Sequence, residues 1–163
     1  MKEIKGKTPK ESAVETRYLL MPHHANPNGT AFGGVIMSWI DMVAGMTAQR
    51  HAGCDVVTAS IDSIFFKESI LIGEHVTLRA SVNYVSRSSM EVGVQVTRDN
   101  PYNGVQSIAT TAHLTFVALD ENKKPKPAPP ILPETAKEKE RYERAKERVK
   151  ARKKLLKKSR ESN

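Results

Sequence analysis

One acidic side chain, Asp41, lies within an otherwise almost entirely apolar segment, residues 33–48. A helix that is apolar on every side is normally buried, and an unpaired carboxylate is costly to bury. Asp41 should therefore cap a helix, pair with another group or take part in a reaction. Ser38, Ala44 and Gly45 lie about one turn away and leave room for a ligand. In this setting a carboxylate can act as a general base or as a nucleophile toward a carbonyl group.

Gly33 and Gly34 precede Asp41 and are predicted to open the same helix. Backbone N–H groups at a helix N-terminus can stabilise an oxyanion. Gly34 and Asp41 are separated by about 10 Å along the helix, at about 1.5 Å per residue. One reacting carbon cannot contact both, so a site that uses both must combine two helices. We therefore expect a homodimer in which Asp41 of each copy approaches Gly34 of the other.

Other residues that could do chemistry are less well placed. Ser38 does not lie in a G-x-S-x-G turn, which would expose a nucleophilic serine. Cys54 follows His51 closely enough for a Cys–His pair to remain an alternative. The adjacent histidines 23 and 24 lack further ligands at a metal-binding spacing, so we expect no metal.

Length and composition indicate one ordinary domain with an added polar segment. The chain has 163 residues, and no apolar run reaches the roughly 18 residues of a membrane span. The basic N-terminus lacks the apolar stretch of a secretory signal, and one cysteine fits a reducing compartment. We expect a cytoplasmic protein that does not act in a membrane.

The elements that must position Asp41 can be outlined from the hydrophobic pattern. We predict a strand over residues 14–21, a helix over 34–51 ended by Gly53, and a strand over 56–62 with a bent continuation over 63–69. Residues 75–85 alternate strictly, and two further alternating segments follow, which favours an antiparallel meander. The alternation predicts one shared face for these residues: Val76, Leu78, Ala80, Val82 and Tyr84. A sheet wrapped around one long helix is one α+β arrangement with this element order.

Charge divides the chain into two predicted parts. Residues 1–133 carry 13 basic and 12 acidic side chains, whereas residues 134–163 carry 13 basic and 6 acidic ones. A proline-rich stretch separates the nearly neutral domain, 1–133, from a basic helical tail, 134–163. The net charge of +8 therefore belongs mainly to the tail.

Several motifs together resemble the acyl-CoA hydrolases of the hotdog-fold superfamily. They are ANPNGTAFGG, WIDMVAG, VTASIDSIFFKESILIGEHV, NYVSRSSMEVGV and RYERAKERVKAR, and they span about residues 15–152. The chain is most similar to short bacterial cytosolic thioesterases and the brain-type acyl-CoA hydrolase. The resemblance implies a hotdog fold and hydrolysis of acyl-CoA to fatty acid and coenzyme A (CoA), with no cofactor or metal. It also implies a homo-oligomer, usually a hexamer built as a trimer of dimers.

The resemblance also implies which residues do the chemistry. The family uses an Asn in the loop before the glycine pair and an Asp in the central helix, and Asn26 and Asp41 match these positions. Asn28 is the alternative in the same loop. Gly34 would polarise the thioester carbonyl through its N–H, and Asn26 would orient the carbonyl or the water.

Substrate contacts are predicted outside this set. In the resembling family, the turn Ser86-Arg87-Ser88-Ser89 lies along CoA, and Arg is well shaped for phosphate. Lys67 is a second phosphate candidate, and Thr58 could line the pantetheine channel. A purely polar turn is the alternative interpretation of residues 86–89.

The basic tail leaves other functions open. It could be a solvated helix packed on a neighbouring subunit, or it could contact the CoA 3′-phosphate through Arg144 and Arg148. It could also bind nucleic acid, although one aromatic residue, Tyr142, and no recognition helix make this unlike a nucleic-acid interface. A second enzymatic alternative is another hotdog activity on acyl thioesters, such as a hydratase.

Overall fold

The computed structural model describes residues 4–161, which form one antiparallel sheet wrapped around a long helix. In chain order the elements are α1 (Pro9–Ser12), β1 (Val14–Leu19), a 3₁₀ turn (Pro22–His24), α2 (Gly33–Ala52), β2 (Val56–Phe66), β3 (His75–Val85), β4 (Ser89–Asp99), β5 (Gln106–Ala118) and α3 (Ala136–Glu161). The strand order is β1-β3-β4-β5-β2. The predicted arrangement is therefore confirmed. Within residues 4–161, no helix is long and apolar enough to cross a membrane.

The central helix α2 begins and ends close to the predicted positions. Gly53 adopts φ 66°, a left-handed conformation that suits glycine, and its N–H closes the helix on the Gln49 carbonyl. One side of α2 packs into the concave face of the sheet through Ile36, Ile40 and Val43.

The opposite side of α2 is not buried, which corrects the expectation of an all-round buried helix. Met37, Met42 and Met46 are exposed along this side. The adjacent strand β2 is an edge of the sheet and exposes Val57, Ile61 and Phe65. An edge strand with free backbone groups is a template for pairing with another chain, so helix and strand together form a large unpartnered apolar surface.

The strand β2 covers the segment predicted as a strand and the first part of its predicted bent continuation, and it ends at Phe66 instead of residue 69. Two register shifts, between Thr58 and Ser60 and between Ile61 and Ser63, break its ladder with β5. These bulges bend the strand around α2. The bend brings Thr58 over the middle of the helix.

The strand β3 confirms four of the five residues predicted to share a face. Val76, Leu78, Ala80 and Val82 are buried against α2. Tyr84 is the exception, because a bulge after Val82 pairs it with Glu91 on the outer face of the sheet. There its ring contacts Tyr142 of α3 edge to face.

The tail helix α3 packs on the outer face of its own sheet, where the sequence suggested a neighbouring subunit. Two of its own residues, Ala145 and Val149, are buried against the sheet. The guanidinium of Arg148 donates to both oxygens of Glu91, at 2.7 and 3.1 Å, and the Glu91 side chain is only 1% exposed. Arg152 pairs with Asp62 of β2 at 3.0 Å. Two arginines of the tail are thus paired with carboxylates of the sheet.

Candidate active site

Asp41 lies in the middle of α2 and faces the edge strand β2. Its Oδ1 accepts a hydrogen bond of 2.9 Å from the hydroxyl of Thr58. The carboxylate is half-buried, which corrects the expectation of full burial, because it lies on the open side of the helix. Oδ2 has no hydrogen-bond partner within residues 4–161. One oxygen is therefore held and the other is available.

A cavity of about 430 Å³ borders Asp41 and Thr58. Its walls include Met42, Gly45 and Phe116. A Cβ added at Gly45 would lie 3.6 Å from the Phe116 ring, so the space exists partly because this residue has no side chain. The prediction that small residues leave room beside Asp41 is confirmed at Gly45.

Asn26 organises the loop that enters α2. Its Oδ1 accepts hydrogen bonds from the backbone N–H groups of Asn28 (3.0 Å) and Thr30 (3.2 Å), and its Nδ2 donates to the Thr30 hydroxyl at 2.9 Å. The side chain is thus fixed, with one amide N–H left over. Asn28 is exposed, and its backbone supports Asn26. The geometry favours Asn26 of the two, although its role stays a prediction.

Gly34 stands in the first turn of α2 with its backbone open. The preceding N-cap residue, Phe32, offers no side-chain acceptor. In the described part of the chain, the N–H groups of Gly33 and Gly34 have no hydrogen-bond acceptor. A Cβ added at Gly34 would lie 2.5 Å from the Phe32 ring. A larger residue would have to displace that exposed ring. The two N–H groups point away from the helix, as an oxyanion site needs.

Within one chain, the Asn26 loop and the Asp41 carboxylate lie at two separate cavities. Asn26, Gly33 and Lys67 line a cavity of about 310 Å³, whereas Asp41 and Thr58 line the other. A single chain thus separates the Asn26 loop from the carboxylate. This separation agrees with the distance argument from the sequence.

The Ser86–Ser89 turn joins β3 to β4 and is held by several hydrogen bonds. The hydroxyls of Ser86 and Ser89 lie 2.6 Å apart, and the Arg87 carbonyl accepts from the Ala128 N–H. The Arg87 side chain is exposed, and none of the described residues pairs with it. Ser88 holds the end of β5 through its carbonyl, which accepts from the Ala118 N–H.

The sheet register places the turn and Lys67 at opposite ends of β2. Thr58 pairs with Phe116, and Phe116 pairs with Met90, which lies just beyond the turn. Lys67 follows the other end of the strand. Within one chain, the residues predicted to contact CoA therefore lie in two groups, one near each end of β2.

His51 belongs to the structural core, so the Cys–His alternative is wrong. It is fully buried, its Nδ1 contacts the Ser12 hydroxyl at 3.1 Å, and its Nε2 donates to the Pro129 carbonyl at 2.9 Å. Burial lowers the pKa of His51, and the nearby Lys7 lowers it further, while the bond to Pro129 opposes the shift. The imidazole joins α1, α2 and the proline-rich segment.

Two site features were missed by the sequence analysis. Thr30 locks the Asn26 side chain, and the Asx-turn pattern N-P-N-G-T could have indicated it. Thr58 was assigned to the pantetheine channel, and the structure shows it as the direct partner of Asp41. No local pattern links these two residues, which are 17 positions apart.

Comparisons with known sequences agree with this geometry. A family profile described as "Thioesterase superfamily" matches residues 28–105. An uncharacterized acyl-CoA thioester hydrolase of Bacillus subtilis is 43% identical over 129 residues, which cover 79% of this chain and 75% of that protein. Mouse acyl-coenzyme A thioesterase 11 is 40% identical over 135 residues, but the match spans only 23% of its length.

Solved structures extend the similarity to the fold. An acyl-CoA hydrolase from Staphylococcus aureus, in complex with butyryl coenzyme A, coenzyme A and coenzyme A disulfide, is 40% identical. It superposes with a TM-score of 0.90 over 96% of this chain and 95% of that one. An apo-hexameric acyl-CoA thioesterase is 41% identical, with a TM-score of 0.91 over 94% and 98% of the two chains.

Three structures of the S. aureus enzyme are alanine variants, at an Asn, an Asp and a Thr. In that protein the three residues are spaced by 15 and then 17 positions. The same spacing separates Asn26, Asp41 and Thr58 here.

Proposed function

The chain belongs to the thioesterase superfamily and is an acyl-CoA thioester hydrolase, and we propose that its catalytic sites are shared between two copies of the chain. The reaction adds water to the thioester, which releases a carboxylic acid and the thiol of CoA. The S. aureus relative, solved with butyryl coenzyme A and coenzyme A, supports this substrate class. The comparisons do not favour the alternatives of a hydratase or a nucleic-acid binder.

The observation that carries the shared site is the separation of Asn26 and Asp41 into two cavities. The apolar surface of α2 and the edge strand β2 provides the means of joining them. Antiparallel pairing of two β2 edges would continue the sheet and set the two α2 helices face to face. Asp41 of one copy would then approach the first turn of α2 in the other.

We assign Asp41 the role of general base or nucleophile. Thr58 holds Oδ1, which leaves Oδ2 to take a proton from water or to attack the thioester carbon. Both routes end in the same products, because an acyl–carboxylate intermediate would itself be hydrolysed. Both routes need a hydrogen-bond donor to the thioester carbonyl oxygen, because this oxygen gains negative charge during the attack.

Gly34 and Asn26 of the partner copy supply that donor in this proposal. The free N–H of Gly34 would bond the carbonyl oxygen, and its hydrogen bond strengthens as charge develops. The remaining N–H of the Asn26 amide would orient the carbonyl or the attacking water. The loop bonds to Asn28 and Thr30 hold this amide before substrate binds.

The nucleotide end of CoA is assigned to the Ser86–Ser89 turn. Arg87 presents an exposed guanidinium suited to bidentate phosphate contact, with the hydroxyls of Ser86, Ser88 and Ser89 beside it. Lys67 lies with the Asn26 loop, so it would reach the substrate from the other copy. No cofactor or metal takes part in this scheme.

We also propose the oligomeric assembly of the enzyme, its location and its metabolic role. The relatives solved as hexamers support a trimer of such dimers. A cytoplasmic location is supported by relatives named as cytosolic acyl coenzyme A thioester hydrolases. A role in fatty-acid metabolism would follow from the proposed products, a fatty acid and CoA.

Release of CoA thiol from a panel of acyl-CoA substrates tests the proposal, since a hydratase would release none. Asp41→Asn should lower kcat by on the order of 10²- to 10⁴-fold, the usual contribution of an acid–base group. Asp99→Asn, at the far end of β4, is the matched control and should keep wild-type turnover. A folded Asp41→Asn variant with near wild-type kcat would overturn the assignment.

A further inference from the structure

Two residues of the edge strand β2 face opposite sides of the sheet although they are only two positions apart. Thr58 donates a hydrogen bond to Asp41 of α2, on the concave side of the sheet. The hydroxyl of Ser60 instead lies 3.5 Å from the Arg152 guanidinium of α3, on the outer side. In a regular strand, residues two positions apart point to the same face. An interruption between Thr58 and Ser60 is therefore needed to turn Thr58 toward Asp41.

The interruption is a pair of bulges in the ladder between β2 and β5. Thr58 pairs with Phe116 and Ser60 with Thr115, which leaves one extra residue of β2 between them. A second register shift leaves Asp62 without a partner in the ladder. A bulge disrupts the ladder locally and bends its strand. Backbone pairing to β5 alone therefore holds this stretch of β2 weakly, and β2 lies at the edge of the sheet.

The carboxylate of Asp62 ties the bulged stretch together. Its Oδ1 accepts a hydrogen bond of 2.7 Å from the hydroxyl of Ser60, which lies between the two register shifts. Its Oδ2 accepts one of 2.8 Å from the hydroxyl of Thr115 on β5. The side chain thus connects β2 to its neighbouring strand where backbone pairing is interrupted.

A fourth residue, from the tail helix α3, completes this cluster. The guanidinium of Arg152 lies 3.0 Å from Oδ2 of Asp62 and also donates to the hydroxyl of Thr115. The side chains of Asp62 and Arg152 are only 17% and 20% exposed, so solvent screens their attraction less than that of an exposed pair. We call Ser60, Asp62, Thr115 and Arg152 the β2 clamp.

The carboxylate of the β2 clamp is held in its charged form. Partial burial raises the pKa of Asp62, but hydrogen bonds from Ser60 and Thr115 and the charge of Arg152 lower it by more. The pKa therefore lies below its ordinary value. A charged acceptor makes stronger hydrogen bonds than a neutral one, so the clamp is suited to fixing the backbone of β2.

We propose that Asp62 and Arg152 are positioning residues for the hydrolysis, because they fix the bulged stretch of β2 and thereby orient Thr58 and, through it, Asp41. The inference rests on the role proposed above for Asp41. Neither Asp62 nor Arg152 lines the cavity beside Asp41, and we assign them no contact with the thioester. The tail helix α3 thus contributes to turnover from the far side of the sheet.

Steady-state kinetics of Asp62→Asn and Arg152→Gln test this role. We expect kcat to fall by about threefold to tenfold, since the loss cannot exceed the roughly tenfold cost of losing the Thr58 hydrogen bond itself. KM should change little, because the β2 clamp does not touch the substrate. Arg152→Lys should restore part of kcat, because it returns the positive charge. The assays use a protein concentration at which size-exclusion chromatography shows the wild-type oligomer for every variant.

A double-mutant cycle with Thr58→Val identifies the route of the effect. If the β2 clamp acts through Thr58, Arg152→Gln should not lower kcat further once the Thr58 hydroxyl is absent. A general loss of rigidity would instead lower kcat by the same factor with and without that hydroxyl. This second result would overturn the proposal.

Val149→Ala is the matched control on the same helix. Val149 is buried against the sheet less than one turn before Arg152, so its truncation should lower the free energy of unfolding and keep wild-type kcat. An equal loss of kcat in Val149→Ala and Arg152→Gln would overturn the proposal. Unchanged kcat in Asp62→Asn and Arg152→Gln, with turnover lost in Asp41→Asn, would overturn the β2 clamp and leave the proposed function intact. Turnover kept in Asp41→Asn would overturn both.

Discussion

Thr58 of the edge strand β2 donates a 2.9 Å hydrogen bond to Asp41 in the middle of the central helix α2. The bond joins the sheet to the helix on the side of α2 that the single chain leaves open. It occupies one carboxylate oxygen and directs the other toward the adjacent cavity. The proposed base is thus oriented by the same strand that we expect to form the dimer.

Replacing Thr58 with valine should test whether this bond positions the carboxylate. Valine keeps the shape of threonine but cannot donate, so kcat should fall roughly tenfold, the worth of one hydrogen bond to a charged group. KM should change little, and Thr58→Ser should restore most of kcat because it returns the hydroxyl. Steady-state kinetics over a range of acyl-CoA concentrations would measure both kcat and KM. A Thr58→Val enzyme with unchanged kcat would show that Asp41 needs no such orientation.

The Arg87→Ala variant tests the assignment of the Ser86–Ser89 turn. Phosphate contacts lie far from the thioester and are equal in ground and transition states, so KM for acyl-CoA should rise while kcat is largely kept. The same variant should behave as wild type on an acyl-pantetheine substrate, which lacks the nucleotide. Equal losses on the two substrates would mean that the turn has only a structural role.

Two buried histidines predict that stability falls in mild acid. Burial lowers the pKa of His51 and of His113 in the folded chain. In the unfolded chain both imidazoles titrate near 6.5. As pH falls through this value the unfolded state binds protons that the folded state does not, so the free energy of unfolding decreases. Above about pH 6.5 the full stability is present.

Urea unfolding at pH 7.5 and pH 5.5, at one protein concentration, measures this effect. We expect the free energy of unfolding to be lower at pH 5.5 by about 1–2 kcal/mol, since each proton contributes about 1.4 kcal/mol per pH unit. His113→Gln should reduce the difference, whereas His75→Gln, at the exposed start of β3, should not. Equal stability of the wild type at the two pH values would contradict the assignment.

Regular elements were predictable from the sequence because their signals are local. The apolar run and Gly53 define α2, and strict alternation defines β3, so both agree closely with the structure. Tyr84 was placed on the wrong face because a bulge shifts the register, and a pattern of period two cannot show a bulge.

Contacts between distant parts of the chain were not predictable. Glu91 and Arg148 are 57 residues apart and form a buried pair only because α3 crosses the sheet there. The partner of Asp41 was missed for the same reason. The open side of α2 also has no local signal, since an apolar residue that faces a partner chain looks the same in sequence as one that faces the core.

Mixing two inactive variants tests the shared site most directly. Asn26→Ala and Asp41→Asn chains would be denatured together in equal amounts and refolded, and thiol release would be compared with that of refolded wild type. Random pairing makes about half of the dimers mixed, and each mixed dimer has one intact site of two. A site built from both copies therefore predicts recovery of about a quarter of wild-type activity. No recovery, with mixed dimers shown to be present, would mean that each site is built within one chain.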